Sequence, residues 1–140
     1  MKKGFTISEL VLVFAIVIGV VLLIMPVVMK TNERMDRIEC ANNMYQIGLA
    51  LYIYAREHDG MFPKDLDTLY AEEYLSDKDL LACPASKRKG AGKADQGYIY
   101  TGGLSVKDPF SIPLLQDKQD NHPNGGKNVL YVSGEVEWKK

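Results

Sequence analysis

From Phe5 to Met29 the chain carries a single charged residue, Glu9, in an otherwise uncharged and mostly apolar run. At about 1.5 Å of rise per residue, that run exceeds the roughly 30 Å hydrocarbon thickness of a bilayer. Beyond Met29 the pattern becomes one-sided. Met35, Ile38, Ala41, Tyr45, Gly48 or Leu49, Tyr52, and Ala55 or Arg56 recur at spacings of three and four, as in an amphipathic helix laid on a domain. Asn42, Gln46 and Glu57 fall mostly off that stripe. Gly19 and Pro26 are the weak points before His58, because a proline removes one backbone donor and bends or loosens a helix. The pattern predicts one helix of roughly fifty residues, about 75 Å long. A small domain has no need of such a length; the axis of an assembly does.

Asp59-Gly60 predicts the end of that helix, with Gly60 as its C-terminal cap. Pro63 and Asp65 introduce a short second helix whose Leu66, Leu69, Tyr70 and Tyr74 face the first. Cys83-Pro84 leads into a Lys/Gly-rich loop over 86–95, with Lys87, Arg88, Lys89 and Lys93. Strand patterns come only afterwards: 97–101, then 111–115 interrupted by Pro113, then Val129–Val132 and Glu135–Trp138 about a Ser133-Gly134 two-residue turn. Leu130 with Val132, or Val129 with Tyr131, would point inward, and Val136 and Trp138 share a face. A hairpin does not hold alone, so the sheet is expected to pack on the amphipathic half of the long helix. The fold class is α+β: a long N-terminal helix on a small C-terminal antiparallel sheet.

Charge and cysteine content narrow the environment. The net charge is −1. Lys2, Lys3 and Lys30 against Glu9 make the part before Thr31 +2, which leaves −3 for the rest. The polar part offers no basic footprint for nucleic acid. Lys2 and Lys3 predict a cytoplasmic amino end with the bulk of the chain outside, and no small-residue cleavage site of the ordinary secretory kind follows the apolar run. Outside the cytoplasm Cys40 and Cys83 can close into a disulfide, whose loop would stabilise by roughly 3–4 kcal/mol; the alternative is two separate buried thiols.

Local motifs supply little catalytic chemistry. Neither His58 nor His122 has a partner set in the sequence, no Cys/His spacing suggests structural zinc, and there is no phosphate loop or nucleotide fingerprint. Asp117, Asp120, Asn121 and Asn124 place oxygen ligands in one stretch that calcium could order, but the spacing matches no strict calcium motif and a solvated turn is the favoured reading. Glu9 stands apart, since a carboxylate in an apolar segment is costly unless it reaches the interface, is protonated or is paired. Ala15 and Gly19 form one small-x-x-x-small pair.

The stretch Lys3-Gly4-Phe5-Thr6-Ile7-Ser8-Glu9-Leu10-Val11, continued to Pro26, resembles the amino-terminal motif of type IV pilins and type II secretion pseudopilins. The resemblance implies that a prepilin peptidase cuts between Gly4 and Phe5 and methylates the new amino terminus. It also implies that Glu9 matches the family's glutamate and Pro26 its helix-loosening proline. A second resemblance lies further on. Cys40-Ala41-Asn42-Asn43-Met44-Tyr45-Gln46-Ile47-Gly48-Leu49-Ala50, Tyr54-Ala55, Asp59-Gly60-Met61-Phe62-Pro63 and Cys83-Pro84 are similar to pseudopilin-like proteins with a C-terminal histidine and Asp-Gly signature. His122 and Ser133-Gly134 align with that signature, with serine in the aspartate's place. In the major pseudopilins a C-terminal loop binds calcium, a part that Asp117 and Asp120 could play here.

These resemblances imply a pilin-like fold with three segments: a leader over 1–4, a membrane or filament-core helix over 5–29, and an extracytoplasmic domain over 30–140. The implied function is a non-enzymatic filament subunit of a type IV pilus or type II secretion pseudopilus. Its partners would be the prepilin peptidase, an inner-membrane assembly platform, copies of itself and related pilins, and membrane lipid before assembly. It would be a single-pass inner-membrane protein first and part of a periplasmic or cell-surface filament later. The rival readings are a membrane-anchored binding module that never polymerises and a small extracytoplasmic enzyme built around His122.

Overall fold

A computed structural model describes residues 6–88, 97–122 and 125–140, with Lys87 and Arg88 given by backbone alone. The element order is helix α1 (Ile7–Glu57), helix α2 (Asp67–Ala71), a 3-10 turn (Lys78–Leu81), helix α3 (Pro84–Arg88), then strands β1 (Tyr98–Tyr100), β2 (Pro113–Asp117), β3 (Lys127–Tyr131) and β4 (Val136–Lys139). The long N-terminal helix and the four-stranded antiparallel sheet, in the order β1-β2-β3-β4, give the α+β arrangement. The chain divides into two compact units, residues 1–34 and 35–140.

The first unit is one apolar stretch of helix. Pro26 lies inside α1, where its ring nitrogen cannot donate to the carbonyl one turn back. Thr31 Oγ1 donates to the Val27 carbonyl at 3.0 Å. Every large apolar side chain from Ile7 to Met29 is exposed, and the helix is long and apolar enough to cross a membrane.

In the second unit α1 buries Cys40, Met44, Ile47, Gly48, Leu51 and Ala55, at steps of three and four. It overlaps the expected stripe without matching it. Met35, Ile38, Tyr45 and Leu49 are about half exposed or more, and Ile53 joins them. At 100° per residue these five fall opposite the buried set. The domain half of α1 is apolar on two faces, and the expected stripe is met only in part: Gly48 and Ala55 are buried and Tyr52 packs against the core, while its other large apolar members face outward. Gly48 lets β3 come close: a Cβ there would meet Leu130 Cδ2 at 3.2 Å. Leu130 and Val132, the first of the two inward sets considered, join Leu114, Leu115, Leu66 and Leu69 in the core.

The helix end also differs in detail. Asp59, at φ 54°, is the left-handed residue, followed by Gly60 at φ 84°. Gly60 N donates to the Ala55 carbonyl at 2.8 Å, the six-to-one bond of a Schellman end. Asp65 Oδ1 accepts from Thr68 N at 2.9 Å and Thr68 Oγ1 at 2.8 Å, which starts α2. That helix lasts one turn, and Tyr70 points to solvent instead of toward α1. Pro84, expected to lead into a loop, is the first residue of α3, where a missing N–H costs nothing. Pro113 opens β2 rather than interrupting it, and the strand runs on to Asp117. The last hairpin has a three-residue turn: Gly134 N donates to the Tyr131 carbonyl at 2.9 Å and Tyr131 N to the Glu135 carbonyl at 3.0 Å. Gly134 takes φ 83°, which closes the turn with a bulge.

Candidate functional site

Two places bring together the residues singled out by the sequence, one in each unit. In the first, Thr6 caps α1. Its backbone N and its Oγ1 each lie 2.9 Å from Glu9 Oε2 and donate to it, and Glu9 N reaches Thr6 Oγ1 at 3.4 Å. This is a reciprocal capping box. Glu9 is therefore fixed at the positive end of the helix dipole, at the mouth of the apolar stretch. The Thr6-x-x-Glu9 spacing was visible in the sequence and would have found this cap. Gly4 and Phe5, the expected processing position, lie outside the described residues.

In the second unit Cys40, on α1, is joined by a disulfide to Cys83, immediately before α3, with Cα atoms 5.3 Å apart. Gly97 makes room for this junction, since a Cβ there would meet Cys83 N at 2.4 Å. Ser86 N and Oγ both donate to the Cys83 carbonyl, at 3.0 and 2.7 Å.

The end of β2 and the segment after it bring two titratable side chains to the same place. His122 Nε2 lies 3.8 Å from Cys83 Sγ and 3.0 Å from Asp117 Oδ2. Asp117 is 1% exposed and His122 2%. Asp117 Oδ2 also accepts from Asn128 N at 2.8 Å and Asn128 Nδ2 at 3.0 Å, and Asn128 Nδ2 reaches the Arg37 carbonyl on α1 at 3.1 Å. One carboxylate oxygen thus ties β2, β3 and the His122 segment together, and Asn128 ties them to the helix. Burial first, and then the charge of Asp117, push the Tyr98 phenol well above its ordinary range.

An aromatic wall closes this cluster. Trp138 stands edge-on to His122, with ring centroids 5.3 Å apart, and the Arg37 guanidinium lies 4.8 Å from the Trp138 ring centre. Gly126 must be glycine here, since a Cβ would sit 2.1 Å from Trp138 Cζ2.

The oxygen-ligand stretch is described only in part. Asp117 is turned into the buried network while Asp120 is exposed. Asn121 is buried and donates through Nδ2 to the Gly97 carbonyl, and Asn124 lies outside the described residues, as does the lysine-rich segment 89–96. His58 meets a late helix carbonyl: Nδ1 donates to Tyr54 O at 2.9 Å, and its ring stacks on Tyr54 at 3.8 Å. The grouping of Cys40, Cys83, Asp117 and His122 had no local signature, because its members come from α1, the start of α3, β2 and the segment beyond β2.

The chain is similar to the ComG operon protein 3 homolog of Bacillus licheniformis, with 29% identity over 86 residues, 61% of this chain and 86% of that protein. No protein-family model matches the chain, and no solved structure does. The similarity and the long apolar N-terminal helix fit a pilin-like protein.

Proposed function

We propose that the chain is a pilin-like structural subunit, cut after Gly4 by a prepilin peptidase, that leaves the membrane to pack its apolar helix among copies of itself and related subunits. One observation carries the reading: apart from Ser8 and Glu9 the helix from Ile7 to Met29 is almost wholly apolar, and its large apolar side chains are exposed among the described residues. Such a surface must be covered by lipid or by protein. Exchanging lipid for neighbouring helices replaces one apolar environment with another, so leaving the membrane need not be costly. The similarity to the ComG operon protein supports the same reading.

Glu9 gives the exchange its register. Its carboxylate already lies against the backbone N of Thr6, next to the amine that a cut before Phe5 would create. Methylation would leave that amine positive. A carboxylate moved into a helical core without such a partner is penalised, so packing that supplies one is selected. The exposed stripe Met35, Ile38, Tyr45, Leu49 and Ile53 offers apolar contact area in the domain half of the same helix.

Glu9→Ala tests this. The variant should enter the membrane as the wild type does, because removing a charge eases insertion. The yield of filaments containing it should fall at least tenfold. Normal filaments with the variant at wild-type stoichiometry would refute the proposed role of Glu9.

A further inference from the structure

Cys40, Cys83, Asp117 and His122 each offer one metal-binding atom, and these four atoms lie within 4.8 Å of one another in a fully buried place. A tetrahedral zinc site with bonds of about 2.0–2.3 Å needs a set barely tighter than this. We propose that, whenever Cys40 and Cys83 are thiols, these four residues form a four-coordinate site for zinc, and that closing the disulfide abolishes it.

Donor chemistry selects the metal. Two thiolates, an imidazole and a carboxylate form a closed set that suits zinc; calcium and magnesium want oxygen shells. The surroundings already orient the ligands. Asn128 holds Asp117 through Oδ2 from two directions, as outer-sphere partners hold metal ligands. Asp117 Oδ1 is buried without a hydrogen-bond partner among the described residues. A disulfide beside it does not satisfy it. A divalent cation would draw on the acid, and on the imidazole through Nε2, the ring nitrogen 3.8 Å from Cys83 Sγ, and would give a buried carboxylate a second reason to be there.

The chemistry balances in both directions. Zinc entering the dithiol chain displaces one proton from each thiol to solvent and remains divalent. An external disulfide oxidant then joins the two sulfurs, takes up their two electrons and two protons from solvent to become a dithiol, and releases the zinc ion. The chain would hold metal before oxidation and a covalent bond afterwards, with the same two elements clasped in each state.

The test uses the full chain in detergent micelles. A phosphine opens the disulfide: it takes its oxygen from water to become the phosphine oxide, and the two sulfurs gain the protons and electrons. It also leaves no competing thiol. The reduced chain should bind one zinc per molecule and gain thermal stability from it. The oxidised chain should bind at least a hundredfold more weakly. X-ray absorption of the zinc-loaded wild type should read two sulfur and two nitrogen or oxygen donors, and cobalt in its place should give a thiolate charge-transfer band. His122→Ala and Asp117→Asn should each weaken binding at least tenfold. The proposal is overturned if the reduced, folded chain takes up no zinc, if the absorption edge reads four sulfurs shared between two chains, or if both folded variants bind as the wild type does. Because the donor count is read on the wild type, the test survives a variant that fails to fold.

Discussion

The two halves of α1 share one helix and one backbone geometry, yet they bury nothing alike. Among the described residues before Arg34 no large apolar side chain is buried. After Met35 the same helix hides Cys40, Met44, Ile47, Leu51 and Ala55 completely. Both halves carry large apolar side chains, but the first carries Glu9 as its single charge as far as Met29, while the second interleaves them with Asp36, Arg37, Glu39, Asn42, Asn43 and Gln46. What also separates them is that the second half has a sheet and short helices of its own chain to pack on. The first half is long and apolar enough to cross a membrane. Helix formation here therefore follows from local propensity, while burial follows from partners.

Substitution at matched sites should break the comparison most sharply. Leu51→Ala, at a fully buried position, should destabilise the domain by about 2–5 kcal/mol. Leu23→Ala, 77% exposed, should leave its stability within about 0.5 kcal/mol. Denaturant unfolding of both variants in detergent, followed by Trp138 fluorescence, would check this. Equal losses would contradict the difference between the two halves.

Opening the disulfide should come next in size. The bond closes a separation of 43 residues, and its loss in metal-free solution should lower domain stability by roughly 3–4 kcal/mol on the loop-entropy account. It should leave the helicity of residues 7–34 untouched, which residue-resolved hydrogen exchange would read. Loss of protection in both halves together would contradict their independence.

The smallest effect sharpens the domain half alone. Tyr74 donates to Glu57 Oε2 at 2.6 Å, and that bond, ahead of burial and neighbouring charges, pushes the phenol up to about 12. A raised pKa means that the contribution is fully present below the unfolded value near 10 and is lost as pH rises through about 12. In a tyrosinate absorbance titration, Glu57→Gln should bring one tyrosine's midpoint back toward the ordinary phenol range near 10. An unchanged titration would show that the bond does not hold the phenol.

How much of this was legible depended on distance along the chain. The long helix, its end near Asp59-Gly60 and the late strands declared themselves through local pattern. The buried stripe of α1 did not, because Met35, Ile38, Tyr45 and Leu49 repeat as regularly as Cys40, Met44, Ile47 and Leu51, and only the sheet chooses between them. The three-residue turn at Gly134 depended on register, which pattern fixes only loosely. The Cys40, Cys83, Asp117 and His122 grouping was invisible for a stronger reason. It exists only once β2 and the segment beyond it are laid against α1, and no spacing along the chain encodes that. The Thr6–Glu9 cap is the opposite case, since it lies three residues apart and was there to be read.

The central claim is that the exposed apolar half is finally covered by other subunits rather than by lipid. The most direct measurement is imaging of fibres sheared from cells with a working assembly system, together with intact-mass analysis of the subunits they contain. The account predicts fibres built with this chain, beginning at a methylated Phe5. Full-length chain from Met1, dispersed in the membrane and absent from every fibre in the same cells, would contradict it.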